Sequence, residues 1–181
     1  MRKQTFWNEA SRAGAIIGGI EVLGALLAPQ LAKMGGLSFL LSVVLLTAFI
    51  VLNYLFTKRR ALLYGGEEGY TYGNGLRFML TVALFTGVLC GAYEIVARNW
   101  IYPAYYRELS DTMLVTLAQT KLYTSAQLAE MKQMYQTMLF SPLWVVLASI
   151  LGQVIKALFF GLFIAAFTKR EPEIFSSNDS E

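Results

Sequence analysis

The chain has 181 residues, 56% of them hydrophobic and 15% charged, with a formal net charge of +3. An ordinary soluble domain carries about 25% charged residues. Because the apolar residues fall into long runs, these totals point instead to an all-α polytopic membrane protein built as one small four-helix bundle with an external helical insert. Histidine is absent, which removes the commonest general base and the commonest metal ligand.

The lone Cys90 lies within an apolar run and has no partner for a disulfide or a thiolate metal site. It reads as a small packing residue. Basic residues sit at the ends of apolar runs and do not gather on one polar face, so no nucleic-acid partner is expected.

The first segment, 1–12, is basic, with Arg2, Lys3 and Arg12 around Phe6 and Trp7. An apolar run over 13–32 follows. A positive start before an apolar run also describes a secretory signal. Glu21 at the centre of the run and three further spans favour a first transmembrane helix entering from the cytoplasm. Ala10, Gly14, Gly18, Glu21, Ala25, Ala28 and Ala32 recur at three- and four-residue spacing and share one face. Small residues at that spacing let a neighbouring helix approach closely, so Glu21 should point inward. Pro29 is expected to end or kink this helix, and Gly35 and Gly36 to form a tight external turn.

The second span, 37–56, is the most apolar. Asn53 is expected to bond to a neighbouring helix. Thr57-Lys58-Arg59-Arg60 follows as a cytoplasmic stop signal. The loop over 61–75 is rich in glycine and tyrosine. It lacks the Gly-Lys-Ser/Thr ending of a phosphate-binding loop, and Glu67 and Glu68 would repel an anion. The third span, 76–97, carries Gly87 and Gly91 as a GxxxG pair with Glu94 on the same face. Glu94 is a secondary candidate at the outer end, within reach of water or external arginines.

The insert over 99–141 begins with an aromatic belt of Trp100, Tyr102, Tyr105 and Tyr106. A helical pattern follows over 104–121. Thr124 with Gln127 is a capping-box signal that opens a second helix, whose Leu128, Met131, Tyr135 and Met138 share a face. Two amphipathic helices forming an external hairpin, or lying on the membrane, fit this pattern. The methionines suggest adaptable apolar filling before copper capture. Glu108, Asp111 and Glu130 read as solvated faces.

The fourth span, 142–167, has about 26 residues, or about 39 Å of helix against a hydrocarbon core of about 30 Å. Gln153 and Lys156 sit near its middle. Lys156 is roughly 17 Å along the axis from the end of the span, too far for its stem to carry the ammonium out. It needs a carboxylate, a wet cavity or loss of its proton, and Glu21 is the well-placed carboxylate. The tail, 171–181, is acidic, polar and expected to be disordered. The excess of basic residues on one side places both termini in the cytoplasm.

This organisation resembles a bacterial family of membrane proteins, domain of unknown function 4199. The resemblance rests on the order of four spans and on Gly69-Tyr70-Thr71-Tyr72-Gly73 leading into span three. It also rests on the Asn99-Trp100-Ile101-Tyr102-Pro103 exit, the methionine- and glutamate-containing external helices, and Phe159-Phe160-Gly161 before the last basic residues. It implies an integral inner-membrane protein and carries no established activity, so no catalytic residue transfers. The Glu21–Lys156 pairing comes from the spans alone.

No catalytic constellation, metal set or cofactor site is expected, and the protein is not expected to be an enzyme. The expected partners are the lipid bilayer and either a second copy or another membrane protein. The leading functional expectation is a structural or accessory subunit of a membrane or envelope assembly. The alternative is a small transporter or proton-coupled carrier that uses the midplane residues Glu21, Gln153 and Lys156.

Overall fold

The computed structural model describes residues 5–32, 34–65, 69–120 and 122–171. Expectations that fall on Arg2, Lys3, Glu67 and Glu68, on the last position of the 104–121 pattern and on the tail from 172 onward lie outside the described residues. The described chain is helical: α1 (Phe6–Leu31), α2 (Gly35–Tyr64), α3 (Tyr72–Val96), α4 (Pro103–Gln119), α5 (Ser125–Phe140) and α6 (Pro142–Thr168), with a π-helical turn (Ala97–Ile101) running on from α3. Four of these, α1, α2, α3 with its π turn, and α6, are long and apolar enough to cross a membrane. The protein is therefore an all-α polytopic membrane protein with an amphipathic helical hairpin, α4–α5, between its third and fourth spanning helices.

The spanning helices run past the apolar segments into polar sequence. In hydrocarbon each backbone group must be satisfied within the helix, and nothing in Thr57-Lys58-Arg59-Arg60 breaks that ladder. α2 stops only at Gly65, where a Cβ would lie 2.5 Å from the Ala61 carbonyl oxygen. Two expectations are corrected at the other end of α2. Gly35 and Gly36 open the helix and are not a free turn. Asn53 donates to the Phe49 carbonyl of its own helix at 2.9 Å and does not reach a neighbour. A buried amide in an apolar helix takes the nearest free lone pair, and the i−4 carbonyl is always within reach.

The packing is centred on α3. On α1, the Gly14 and Gly18 face receives α3: a Cβ at Gly14 would lie 2.6 Å from Phe85 Cβ, and one at Gly18 would lie 3.0 Å from Leu89. On α3, Gly87 and Gly91 receive α6, with Cβ positions 2.6 Å from Ile150 Cα and 2.9 Å from Val146 Cα. Both small-residue seams thus close on the same helix. Thr86 adds a bond across the first seam, donating to the Gly14 carbonyl at 3.2 Å.

α2 packs differently. Its buried residues, Phe49, Asn53, Thr57 and Ala61, recur every fourth position from the middle of the helix onward. The first half presents Leu37, Phe39, Leu40, Val43 and Val44 outward, as a lipid-facing surface would.

The Gly69–Gly73 motif has a clear local role. Gly69 adopts φ 75°, which favours glycine. Tyr70 then pairs with Arg170 in an antiparallel bridge (2.8 and 2.9 Å), joining the loop before α3 to the end of α6. Thr71 caps α3 by accepting from the Asn74 backbone at 3.2 Å. Burial pushes the Tyr70 hydroxyl up to about 12, partly opposed by the Arg60 guanidinium.

In the hairpin, Thr124 and Gln127 form the reciprocal capping box (2.9 and 3.3 Å). The Lys132–Asp111 pair at 3.0 Å is half exposed, so it contributes at most about 1 kcal/mol. Leu128, Met131 and Tyr135 are half-buried, whereas Met113, Met134 and Met138 are exposed.

These seams predict an asymmetric response to added methyl groups. Gly14→Ala and Gly87→Ala should each destabilise the protein in detergent by about 1–3 kcal/mol through overpacking. Gly19→Ala, with nothing within 4 Å of the new carbon, should be neutral or stabilising by up to about 1 kcal/mol. Thermal unfolding of the three variants checks this, and equal effects would contradict the close approach at α3.

Candidate functional site

The midplane charges meet. Glu21 on α1 accepts from Lys156 Nζ through Oε1 at 2.8 Å, and Gln153 Nε2 donates to Oε2. Gln153 and Lys156 are three residues apart on α6 and therefore share a face. The Cys90 thiol of α3 points at the same carboxylate, with Sγ 3.6 Å from Oε2. Phe49 of α2 sets its ring 4.8 Å from the Lys156 ammonium, a favourable cation–π position. α1, α3 and α6 thus meet at one carboxylate, and α2 reaches the cluster through its ammonium.

The two partners differ in environment: the Glu21 side chain is 15% exposed and that of Lys156 is 38% exposed. The carboxylate is fixed and enclosed, while the ammonium borders open space. That space is a cleft of about 450 Å³ running from Glu21 and Lys156 towards Glu94 and Arg98. Its walls come from α1, α3 with its π turn, and α6, with no residue of α2. α2 instead covers another side of Lys156 with Phe49. Gly152 contributes no side chain to the wall and has no neighbour within 4 Å.

At the other end of the cleft Glu94 pairs with Arg98 one turn along α3. Arg98 also donates to the Leu139 carbonyl of α5 at 3.2 Å and sits 5.2 Å over the Tyr106 ring. Burial pushes the Tyr106 hydroxyl up to about 12, with the Glu94 carboxylate adding to the rise. One arginine therefore ties the mouth of the cleft to both hairpin helices. Three polar atoms on the cleft-lining residues, the Tyr93 hydroxyl, Arg98 Nε and Gln153 Oε1, are buried with no hydrogen-bond partner among the described residues.

The structure thus brings Glu21, Gln153 and Lys156 into one cluster and places Glu94 at the far end of the same cleft. The four glycines read as packing residues, Gly14, Gly18, Gly87 and Gly91, hold α1 and α6 against α3 and so set the distance across which Glu21 reaches Lys156.

Sequence reasoning missed Cys90 and Phe49. A signal for Cys90 was present. Thr86 and Cys90 are four apart, as are Gly14 and Gly18, and each weak donor faces one glycine carbonyl, at 3.2 and 3.9 Å. Phe49 carried no such signal, because an aromatic in an apolar run has no visible partner.

The fold and this polar seam define a class of integral membrane protein with charged residues at the middle of its spanning helices. A family model described as protein of unknown function (DUF4199) matches residues 12–170, and the chain belongs to that family. No curated protein and no solved structure matches the chain.

The cluster predicts coupled mutational effects. Removing one partner from a buried pair costs about 3–5 kcal/mol. With Lys156 38% exposed, Glu21→Ala and Lys156→Ala should each fall at or below the lower end of that range. Glu21→Leu combined with Lys156→Met should recover part of the folded yield, read by size-exclusion chromatography in detergent. Equal losses in all three variants would show that the two groups are uncoupled.

Proposed function

We propose that the protein is a structural or accessory subunit of a bacterial inner-membrane or envelope assembly, with both termini in the cytoplasm and the α4–α5 hairpin on the opposite face. The observation that carries this reading is the open polar groove on α1, α3 and α6. Lys156, 38% exposed near the middle of a spanning helix, cannot face lipid tails at acceptable cost. A polar segment of a partner subunit entering the groove would cover it, and would meet the hairpin at Arg98. The orientation follows from basic residues: Arg12, Lys58, Arg59, Arg60 and Arg77 all lie at the end away from the hairpin.

A second reading, a small proton-coupled carrier, is supported by the orphaned Tyr93 hydroxyl and Gln153 Oε1. Buried polar atoms of this kind are normally satisfied, and a small polar solute or ion in the cleft would satisfy them. Carriage requires alternating access to the two faces, and so a second conformation.

Labelling separates the two. On a Cys90→Ser background, a cysteine at Ser149 on the cleft wall is challenged with a membrane-impermeant thiol reagent. The accessory reading predicts protection in native membranes and labelling after reconstitution of the purified protein. The carrier reading predicts labelling in both, together with a pH-dependent flux in proteoliposomes that Glu21→Gln abolishes. Protection that persists in the purified protein would contradict both, since the cleft would then be closed by the chain itself.

A further inference from the structure

A second cleft, of about 150 Å³, opens at the end away from the hairpin, between α1 and α2 and over Phe78 of α3. It contains an arginine whose charge is already met. Arg60 is bonded to the Glu9 carboxylate, and its guanidinium lies 4.9, 4.6 and 5.4 Å from the rings of Phe6, Tyr64 and Phe78. The aromatic box holds Arg60 in one wall, where its guanidinium neutralises Glu9, the only carboxylate among the described residues that line the cleft.

Two further arginines line the same space. Arg12 comes from α1 and Arg59 from α2; both are exposed, and neither forms an ion pair with any described residue. Among the described residues, the cleft therefore carries two uncompensated guanidinium groups. The next turn inward on each wall is apolar: Ile16 is four residues beyond Arg12, and Phe56 is three before Arg59, both lining the cleft. Ile16 is 40% exposed. Charge at the rim with an apolar slot directly beneath it, on helices long enough to span a membrane, is the polarity order of a phospholipid.

Size narrows the ligand. Sites for drug-sized or nucleotide-sized molecules occupy roughly 300–1,000 Å³, so a cleft of about 150 Å³ admits a single phosphate head and excludes a nucleotide. Guanidinium forks match phosphate oxygens two at a time, and basic pockets between spanning helices suit anionic headgroups. We propose that this cleft binds the phosphate of an anionic glycerophospholipid, with Arg12 and Arg59 gripping its oxygens and an acyl chain lying along Ile16 and Phe56. A free phosphate ion would use the arginines and leave the apolar slot unused.

The test is native mass spectrometry of the full chain in neutral detergent, titrated with phosphatidylglycerol. Variants are Arg12→Gln, Arg59→Gln and their combination. Lys58→Gln is the control, because Lys58 is exposed over Tyr54 and does not line the cleft. The wild type and K58Q should retain one phosphatidylglycerol with equal affinity. Each single variant should weaken it, and the double variant should weaken it about tenfold or more, as loss of charge-assisted bonds requires. Phosphatidylcholine should not substitute.

Unchanged binding in the double variant, or equal loss in K58Q, would overturn the site. Inorganic phosphate displacing the lipid at equal concentration would overturn the lipid assignment in favour of a free-anion site. The two arginines are exposed, so the variants should elute as the wild type does. The single variants give the reading if the double one does not fold.

Discussion

A carboxylate and an ammonium held 2.8 Å apart in the apolar middle of spanning helices constrain everything around them. Either charge alone at that depth is costly, so the helices that carry them must hold one register. α1 and α6 do this without a lipid-driven hydrophobic force between them, since lipid tails are as apolar as leucine. They use close approach to a common partner. Gly14 and Gly18 bring α1 onto α3, and Gly87 and Gly91 bring α3 onto α6. The polar cluster and the small-residue seams are therefore one device: the seams set the spacing, and Glu21, Gln153 and Lys156 penalise any slip of it.

The same geometry creates the open groove. α2 buries Phe49, Asn53, Thr57 and Ala61 and sets Leu45 against Gly24 of α1, and Phe49 covers one side of Lys156. The hairpin side of Lys156 is left facing the cleft that ends at Glu94 and Arg98. A protein built only for stability would replace such a pair with apolar residues, because a buried ion pair adds little net stability. Here the pair borders a cleft whose lining residues carry three buried polar atoms with no partner among the described residues. At the far end, Arg60 and its aromatic box give α1, α2 and α3 a separate anchor, so the two ends of the molecule are fixed by unrelated contacts.

Much of this was legible in the sequence for physical reasons. Length and hydropathy mark spanning helices because the bilayer sets their span. Glycine spacing marks the close seams, because only a missing side chain allows backbone contact. Glu21 and Lys156 stood out because each has few ways to be tolerated at midplane. The capping box at Thr124 and Gln127 is a purely local pattern and appeared at its own position. What the sequence hid depends on tertiary placement. Asn53 has two plausible acceptors, and only its register shows that it turns to Phe49. Gly35 and Gly36 carry turn chemistry, yet α2 begins with them. Phe49 joined the polar cluster only through the packing of α2 beside α6, which sets its ring against Lys156.

The most direct test is the distance between the Lys156 ammonium and the Glu21 carboxylate in lipid. Solid-state NMR dipolar recoupling between lysine side-chain nitrogen and glutamate carboxyl carbon reads it without altering the pair, and the half-exposed Lys132–Asp111 contact is silent under glutamate labelling. The account predicts a strong short-range coupling that disappears in Glu21→Gln and in Lys156→Arg. Absence of that coupling in the wild type, or its persistence in both variants, would contradict the pairing on which the rest of the architecture depends.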